Sequence, residues 1–350
     1  MRRFATALSL SIIIGATAVL STAFAAEKLS VSKAGTIGTP SGRIAFIREK
    51  NVWVMDATGA NQMSVSEVGN ADGRLSWSPD GKRIAFTRSG TVNLRGPDML
   101  GGQHKVYDIF HAILDSAKIG NKFFWYRITD DLGSRDAEWQ PDGRMIFYKD
   151  MNANTVNSEI PNYQVATMDA EGGSIEVLRK DWQNMGEYFI SPTMNNRGDI
   201  AFVHFYSEGT SGMAPRGIAV LPKDKFMARL DSVRTASSKL TGNVGPAWSP
   251  DGKWLAFVNN SMTDGGLYIA SPDLKEKYLV FAPPVGTTLY TSPPSFSSNS
   301  KWLTFATSDG SIWICDITGN GSKRITGPGI DSNPSWSKGT AATPATTSSK

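Results

Sequence analysis

Most of the chain alternates short apolar runs with polar clusters rich in Gly, Pro, Asp and Ser, and few stretches keep a helical spacing of apolar positions. Runs such as Ile84-Ala85-Phe86 and Leu255-Ala256-Phe257 are bounded on both sides by turn residues, a pattern of short strands rather than helices. The pattern also repeats. WSPDGKRIAF begins at Trp77, WQPDGRMIFY at Trp139, WSPDGKWLAF at Trp248 and FSSNSKWLTF at Phe296, with a degenerate MNNRGDIAF from Met194. A last start, WSKG, stands at Trp336 with no apolar strand after it.

Within a unit, Ser-Pro-Asp-Gly places proline where its fixed φ suits a turn and glycine where a left-handed conformation forms, so the flanking runs predict a hairpin. A further alternating strand follows a variable loop, as in NVWVMDATG from Asn51, NYQVATMDAEG from Asn162 and SIWICDITG from Ser311. A fourth, polar-edged strand follows, as in SIEVLRK from Ser174 and SKRITG from Ser322. Four short antiparallel strands per unit predict propeller blades. Ser41-Gly42-Arg43-Ile44-Ala45-Phe46 carries the ending of a unit without its beginning, the reverse of Trp336. Counting both halves gives six units, and sharing one unit between the two ends of the chain implies a closed ring. The sequence therefore predicts an all-β, six-bladed β-propeller over residues 41–338, closed by pairing of N-terminal and C-terminal strands and expected as a monomer.

The first residues read differently. Arg2 and Arg3, an apolar run through Ile12, Ile13 and Ile14, and Ala23-Phe24-Ala25 form the layout of a secretory signal peptide over 1–26, cleaved near Ala25 or Ala26. The apolar run is short for a permanent span, and none is expected after cleavage. Residues 27–40 read as a linker and 339–350 as a disordered tail. The chain has 36 basic and 32 acidic residues. Cleavage removes Arg2, Arg3 and no acidic residue, so the mature chain is nearly neutral and nucleic acid is not an expected partner.

One cysteine, Cys315, excludes an internal disulfide and a C-x-x-C site, and its alternating strand suits a buried thiol. Three histidines, His104, His111 and His204, are scattered, so no metal or other cofactor is expected. No G-x-S-x-G elbow, H-E-x-x-H pair or phosphate-binding loop occurs, and no catalytic residue is assigned. Segments preceding each large aromatic or Met residue should line the central channel. They supply Asp72, Arg74, Arg135, Asp136, Glu187, Asn243, Asp331 and Asn333, a mixed-charge set suited to polar recognition. The long second unit leaves two readings of 106–117: an amphipathic helix, or a third strand through Tyr107–Phe110 with FFWYRIT from Phe123 as the fourth. The strand is preferred because the blade otherwise lacks one. Arg88–Gln103, Asn152–Glu159 and Ser207–Arg216 then become protruding loops.

The W-S-P-D-G-K-x-[IL]-A-F hairpin, followed by a strand ending in M-D-A-x-G, resembles the repeat of the TolB-type β-propeller family. That resemblance implies a periplasmic, non-catalytic protein of the cell envelope that binds a partner such as the peptidoglycan-associated lipoprotein, with a role in a Tol-Pal system. The family carries an α/β domain before its propeller, and residues 27–40 leave no room for one, so a stand-alone TolB-like propeller is expected. The alternative is a propeller enzyme, acting in the channel on carbohydrate as oligouronide lyases do, or on peptide.

Overall fold

The computed structural model describes residues 28–67, 69–94, 102–114, 123–155, 161–178, 187–206, 217–225, 233, 236, 240–261 and 265–338. The predicted signal peptide and tail, the whole of Ser207–Arg216, the end of Asn152–Glu159 and residues 95–101 of Arg88–Gln103 lie outside them. The regular structure of the described residues is almost entirely strand. In order, these are β1 (Arg43–Arg48), β2 (Asn51–Asp56), β3 (Met63–Ser64), β4 (Ala71–Trp77), β5 (Arg83–Leu94), β6 (Gly102–Ile113) and β7 (Phe124–Arg127). They continue as β8 (Ser134–Trp139), β9 (Met145–Asp150), β10 (Tyr163–Met168), β11 (Glu176–Val177), β12 (Glu187–Met194), β13 (Asp199–Tyr206) and β14 (Gly217–Pro222). The last are β15 (Asn243–Trp248), β16 (Leu255–Asn259), β17 (Gly266–Ala270), β18 (Lys277–Phe281), β19 (Ser295–Phe296), β20 (Trp302–Ala306), β21 (Ile312–Asp316), β22 (Ser322–Arg324) and β23 (Ser332–Trp336).

They form six antiparallel sheets in a ring. Blade 1 has the order β23-β1-β2-β3, and blades 2 to 6 begin on the inner strands β4, β8, β12, β15 and β19. Blade 4 is described with three strands and the others with four. The closure expected from the half-units is present: β23 pairs with β1 through Ile44↔Trp336, Ala45↔Ser335 and Ile47↔Ser332. Among the described residues no helix is long and apolar enough to cross a membrane.

The repeated hairpin turn has a chemical reason for its Ser and its Asp or Asn. Ser78 Oγ donates to Asp80 Oδ1 at 2.6 Å and accepts the Arg83 N–H at 2.9 Å. Ser249 with Asp251 and Trp254, and Ser297 with Asn299 and Trp302, repeat the arrangement. Gly252 has φ +67°, and a Cβ there would lie 2.6 Å from Asn196 Oδ1, so conformation and space both select glycine.

The period-2 alternation sends neighbouring residues of one strand into different cores. Ala45 and Ile47 pack with Trp77, Ile84 and Phe86 of blade 2, whereas Ile44 and Phe46 pack with Ile312 and Ile314 of blade 6. Ala85 and Ile109 pack with Trp139 and Phe147 of blade 3, and Ile146 and Val165 with Phe189 and Phe202 of blade 4. Phe205 and Val203 meet Trp248 and Phe257 of blade 5, while Ala256 and Val258 meet Phe296 and Phe305 of blade 6. The cores therefore lie between blades, which is why I-A-F reads as a continuous apolar run. The repeated Trp residues seal them: Trp77 Nε1 donates to Ser335 O at 2.9 Å, and Trp336 Nε1 to Ser41 O at 2.8 Å. Cys315 is buried in the core between blades 5 and 6, where burial pushes its thiol up.

Three details differ from the sequence expectations or refine them. Residues 106–113 are strand, with Phe124–Arg127 as the fourth strand of blade 2, which selects the preferred reading. The stretch Arg88–Gln103 is not simply a protruding loop. β5 and β6 stay paired from Arg83↔Ile113 to Leu94↔Gly102, making a long hairpin arm, because alternating polar residues still satisfy each other's backbone groups away from the core. The stretch 28–40, read as a linker, docks on blades 5 and 6: Leu29 and Ala34 are buried there, and Lys33 Nζ reaches Glu276 at 2.5 Å and Tyr278 at 3.0 Å.

Deleting residues 41–55 removes most of β1 and β2 and leaves β23 without its partner. This truncation is expected to aggregate or to unfold at a clearly lower denaturant concentration than the full mature chain, measured by chemical denaturation and light scattering; equal midpoints would refute closure as a source of stability. His111 gives a pH prediction. It is buried, stacked on Trp139 at 5.0 Å, and burial with Arg83 nearby lowers its pKa from 6.5 to about 4. Above pH 6.5 neither state is protonated; between 6.5 and 4 only the unfolded chain takes up the proton, so stability falls as pH falls. The loss should approach about 3 kcal/mol below pH 4, and His111→Gln should remove that part of the pH dependence, read as the difference between the two proteins' unfolding free energies.

Candidate functional site

The innermost strands β4, β8, β12, β15, β19 and β23 are sheet edges, so their outward backbone groups face the channel instead of a neighbouring strand. Proline suits such an edge because it offers no N–H. It stands two residues before the large residue in four blades, at Pro192, Pro246, Pro294 and Pro334. The channel therefore contains carbonyls in need of donors.

Arg74 supplies them. From blade 2 it crosses the channel, donating through Nη1 to Glu138 Oε2 at 2.7 Å and to Pro192 O at 2.6 Å, and through Nη2 to Pro246 O at 2.8 Å. One guanidinium thus joins blades 2, 3, 4 and 5. Lys338 Nζ meets the other oxygen of Glu138 at 3.2 Å and also donates to Trp139 O at 2.7 Å. Burial pushes the Glu138 carboxyl up, but Lys338 and Arg74 outweigh it and hold the pKa below the usual value. Arg74 divides the channel. Towards the ends of the inner strands lies a space of about 40 Å³, and towards their beginnings a cavity of about 230 Å³.

A bulge in each of five inner strands shapes that larger cavity. The register shifts fall between Asp72 and Ser76, Arg135 and Glu138, Ile190 and Thr193, Val244 and Ala247, and opposite Ala45 and Ile47. Gly73, Asp136, Ser191, Gly245 and Asn333 take positive φ there, from 51° to 67°, and all five line the cavity. A bulge re-aims side chains, and left-handed Asp, Ser and Asn store strain that the surrounding ring holds in place.

The structure places the sequence-selected residues in three settings. Asp72, Arg74, Arg135, Asp136 and Asn333 line the 230 Å³ cavity. Asp72 Oδ1 accepts the Gly73 N–H at 2.8 Å, and its Oδ2 lies 3.3 Å from Lys105 Nζ on the hairpin arm. Asp136 Oδ1 accepts the Arg74 N–H at 2.9 Å. Asp331 lines an adjoining groove of about 400 Å³ and is clamped by Arg48 at 2.7 and 2.8 Å. Glu187 and Asn243 are buried and line neither space. Glu187 Oε2 lies 2.5 Å from His204 Nε2, and Asn243 Nδ2 donates to Leu240 O and Thr241 O. Each sits at the start of its inner strand, where local partners claim the side chain before it reaches the channel.

Sequence reasoning missed the aromatic wall. Arg135 lies 3.9 Å from the Tyr107 ring centre and 5.4 Å from that of Tyr148, and its Nε has no hydrogen-bond partner among the described residues. Tyr107 arrives on the hairpin arm, which bends onto blade 3 through a parallel bridge to Gly133. Burial opposes the Arg135 charge, but Tyr148, Asp136, Tyr107 and Asp72 outweigh it and raise the pKa. Burial also raises that of Tyr148. The cavity and the groove share Asp72, Tyr290 and Asn333, and exposed Tyr290 and Ile330 give the groove an apolar rim. Among the described residues no group of three or more His, Cys, Asp or Glu side chains is placed to hold a metal ion.

Replacing Arg74 by Met should leave buried carbonyls without donors and Glu138 with one cation fewer. A loss of roughly 3–5 kcal/mol in unfolding free energy is expected, with Arg74→Lys intermediate; an unchanged midpoint for the Met variant would show that the crossing contributes nothing.

No protein-family model matches the chain, and no curated protein sequence matches it. Solved structures do match. TolB from Acinetobacter baumannii aligns over 86% of this chain and 67% of its own, with a TM-score of 0.59 at 19% identity. A TolB from Agrobacterium tumefaciens aligns over 83% and 90%, with a TM-score of 0.52 at 13% identity. A chain of a nidogen/laminin complex aligns over 84% and 97%, with a TM-score of 0.55 at 11% identity. The six blades, the shared first blade and these matches make the chain a TolB-like β-propeller in fold.

Proposed function

We propose that this chain is an exported, non-catalytic binding propeller that captures a protein of the cell envelope at the mouth where the channel cavity and the groove meet. The observation that carries this reading is that the two spaces adjoin and share Asp72, Tyr290 and Asn333 as lining residues. A polar cavity lies beside a wider groove with an apolar rim at Tyr290 and Ile330, a shape that suits a protruding loop with its flanks on the rim. Arg74 closes the cavity beneath, so the mouth works as a socket and not as a through-channel. The signal peptide read from the sequence supports a periplasmic location, as does the setting of TolB proteins. The same resemblance supports a lipoprotein partner of the peptidoglycan-associated type.

The test is retention of the purified mature chain on envelope fractions and on purified peptidoglycan-associated lipoprotein at physiological salt, followed by calorimetry. Specific binding that falls at least about tenfold in a Tyr290→Ala, Ile330→Asp variant of unchanged stability is expected. Absence of retention, binding indifferent to that variant, or turnover of uronate polymers or peptides by the purified chain would each overturn the reading.

A further inference from the structure

The position two residues after the repeated Phe carries a basic residue in four blades, Arg48, Arg88, Lys149 and His204, and a neutral one in the others, Asn259 and Thr307. Three of the four basic residues meet a carboxylate at or just before the start of the inner strand of the same blade. Asp331 clamps Arg48 at 2.7 and 2.8 Å, Asp131 pairs with Lys149, and Glu187 Oε2 lies 2.5 Å from His204 Nε2. Blade 2 breaks the pattern. There the partner is Asn70, just before β4, whose Oδ1 accepts the Arg88 Nε–H at 2.6 Å while its Nδ2 donates to Ser89 O. The amide thus has no second oxygen for the guanidinium. Arg88 Nη1 and Nη2 make no hydrogen bond among the described residues, and on this half-buried side chain both keep accessible surface.

The strand register gathers the surroundings. Arg88 stands opposite Asp108, and Phe110 opposite Arg127; opposite residues of paired strands project to one face, as do residues two apart. These four side chains therefore share a face of blade 2, and all four line a space of about 390 Å³. The Arg88 guanidinium lies 5.7 Å from the Phe110 ring centre and 5.4 Å from that of Trp125, which holds it in place. Blade 1 repeats the stacking, with Arg48 5.1 Å from the Trp53 ring centre, and there the Asp331 carboxylate completes the guanidinium. Asp108 cannot serve Arg88 in the same way, because Arg127 Nη2 at 2.8 Å, Thr129 Oγ1 at 3.2 Å and the Leu132 N–H at 3.3 Å already claim it. Two guanidiniums against one carboxylate leave the lining of the space one positive charge in excess. A single carboxylate balances that charge, and its two oxygens match the planar fork of Arg88. A phosphate dianion overshoots the balance beside Asp108, and a cation is repelled. We infer that this space is a binding site for a carboxylate, held by Arg88 through Nη1 and Nη2 with Arg127 adding charge. It shares no lining residue with the channel cavity or the groove, so it is a second site, independent of the mouth.

The experiment titrates the purified mature chain, in neutral chloride-free buffer, with sodium acetate, N-acetyl-glutamate methylamide, galacturonate, N-acetyl-glutamine methylamide and inorganic phosphate. Arginine Nε–H signals are followed by NMR, the Arg88 signal being the one lost in Arg88→Lys. The expected result is a saturable shift of that signal with the three carboxylates, at least about fivefold tighter than with the glutamine probe or phosphate. The ratio of the glutamate to the galacturonate probe separates an acidic protein side chain from a sugar acid as the source of the carboxylate. Asn70→Asp supplies the carboxylate from within, as Asp331 does in blade 1, and should weaken acetate binding at least about tenfold; Arg88→Met, read by the shifts of neighbouring backbone amides, should abolish it. Chemical denaturation checks that each variant is folded, and if Arg88→Met is not, Asn70→Asp carries the test. No saturable shift with any carboxylate, equal or tighter binding of phosphate or the glutamine probe, or full affinity in either folded variant overturns the inference.

Discussion

Each blade is too thin to bury anything by itself, and the ring depends on that. A four-stranded sheet with apolar residues on both faces needs a neighbour on either side, so no blade is satisfied until the last one meets the first. Six inter-blade cores follow directly: Ile44 and Phe46 turn to blade 6 while Ala45 and Ile47 turn to blade 2, from consecutive positions of one strand. Pairing β23 with β1 makes this geometry a property of the whole chain, because the blade that closes the ring is built from residues almost three hundred positions apart. The docked stretch around Leu29 adds to the core between blades 5 and 6 from outside the repeat.

Closure has a second consequence at the axis. Bringing six inner strands together leaves six sheet edges facing one another, with backbone groups that no strand can pair. The chain reduces the donors with proline and answers the Pro192 and Pro246 carbonyls with one guanidinium, while bulges with left-handed residues shape the wall above it. Arg74 and the 230 Å³ cavity are therefore two results of one constraint. The arginine that satisfies the lower channel is also the floor of the upper one.

The parts legible in the sequence are those whose chemistry is local or periodic. Trp-Ser-Pro-Asp-Gly is a turn within a handful of residues, and its hydrogen bonds run between positions two to five apart, so the sequence carries the whole argument. Ring closure was legible because a missing beginning at Ser41 and a missing ending after Trp336 are complementary. The site was legible only as a list of inner-strand polar residues. Asp72, Arg74, Arg135, Asp136 and Asn333 reach the cavity, whereas Glu187 and Asn243, chosen by the same rule, are claimed by His204 and by the Leu240 and Thr241 carbonyls. Those partners depend on side-chain direction at the start of a strand, which spacing does not encode. Tyr107 and Tyr148 were missed because they come from an arm and from a second strand, and only their meeting over Arg135 gives them a role.

The departures of blade 2 from the repeat are concentrated beside the candidate site. Blade 2 differs from its neighbours in two ways. Its inner-strand bulge holds two extra residues between Asp72 and Ser76 where the other bulges hold one, and its central hairpin continues past the blade as an arm. Gly73 takes the left-handed position as its counterparts do, and Arg74, which follows it within the longer bulge, crosses the channel. The second carries Lys105 to Asp72 and Tyr107 to Arg135. Neither change is needed for the inter-blade cores of blade 2, which are built from other residues. Irregularity in an otherwise regular ring is thus itself a signal, and here both irregularities converge on the same cavity.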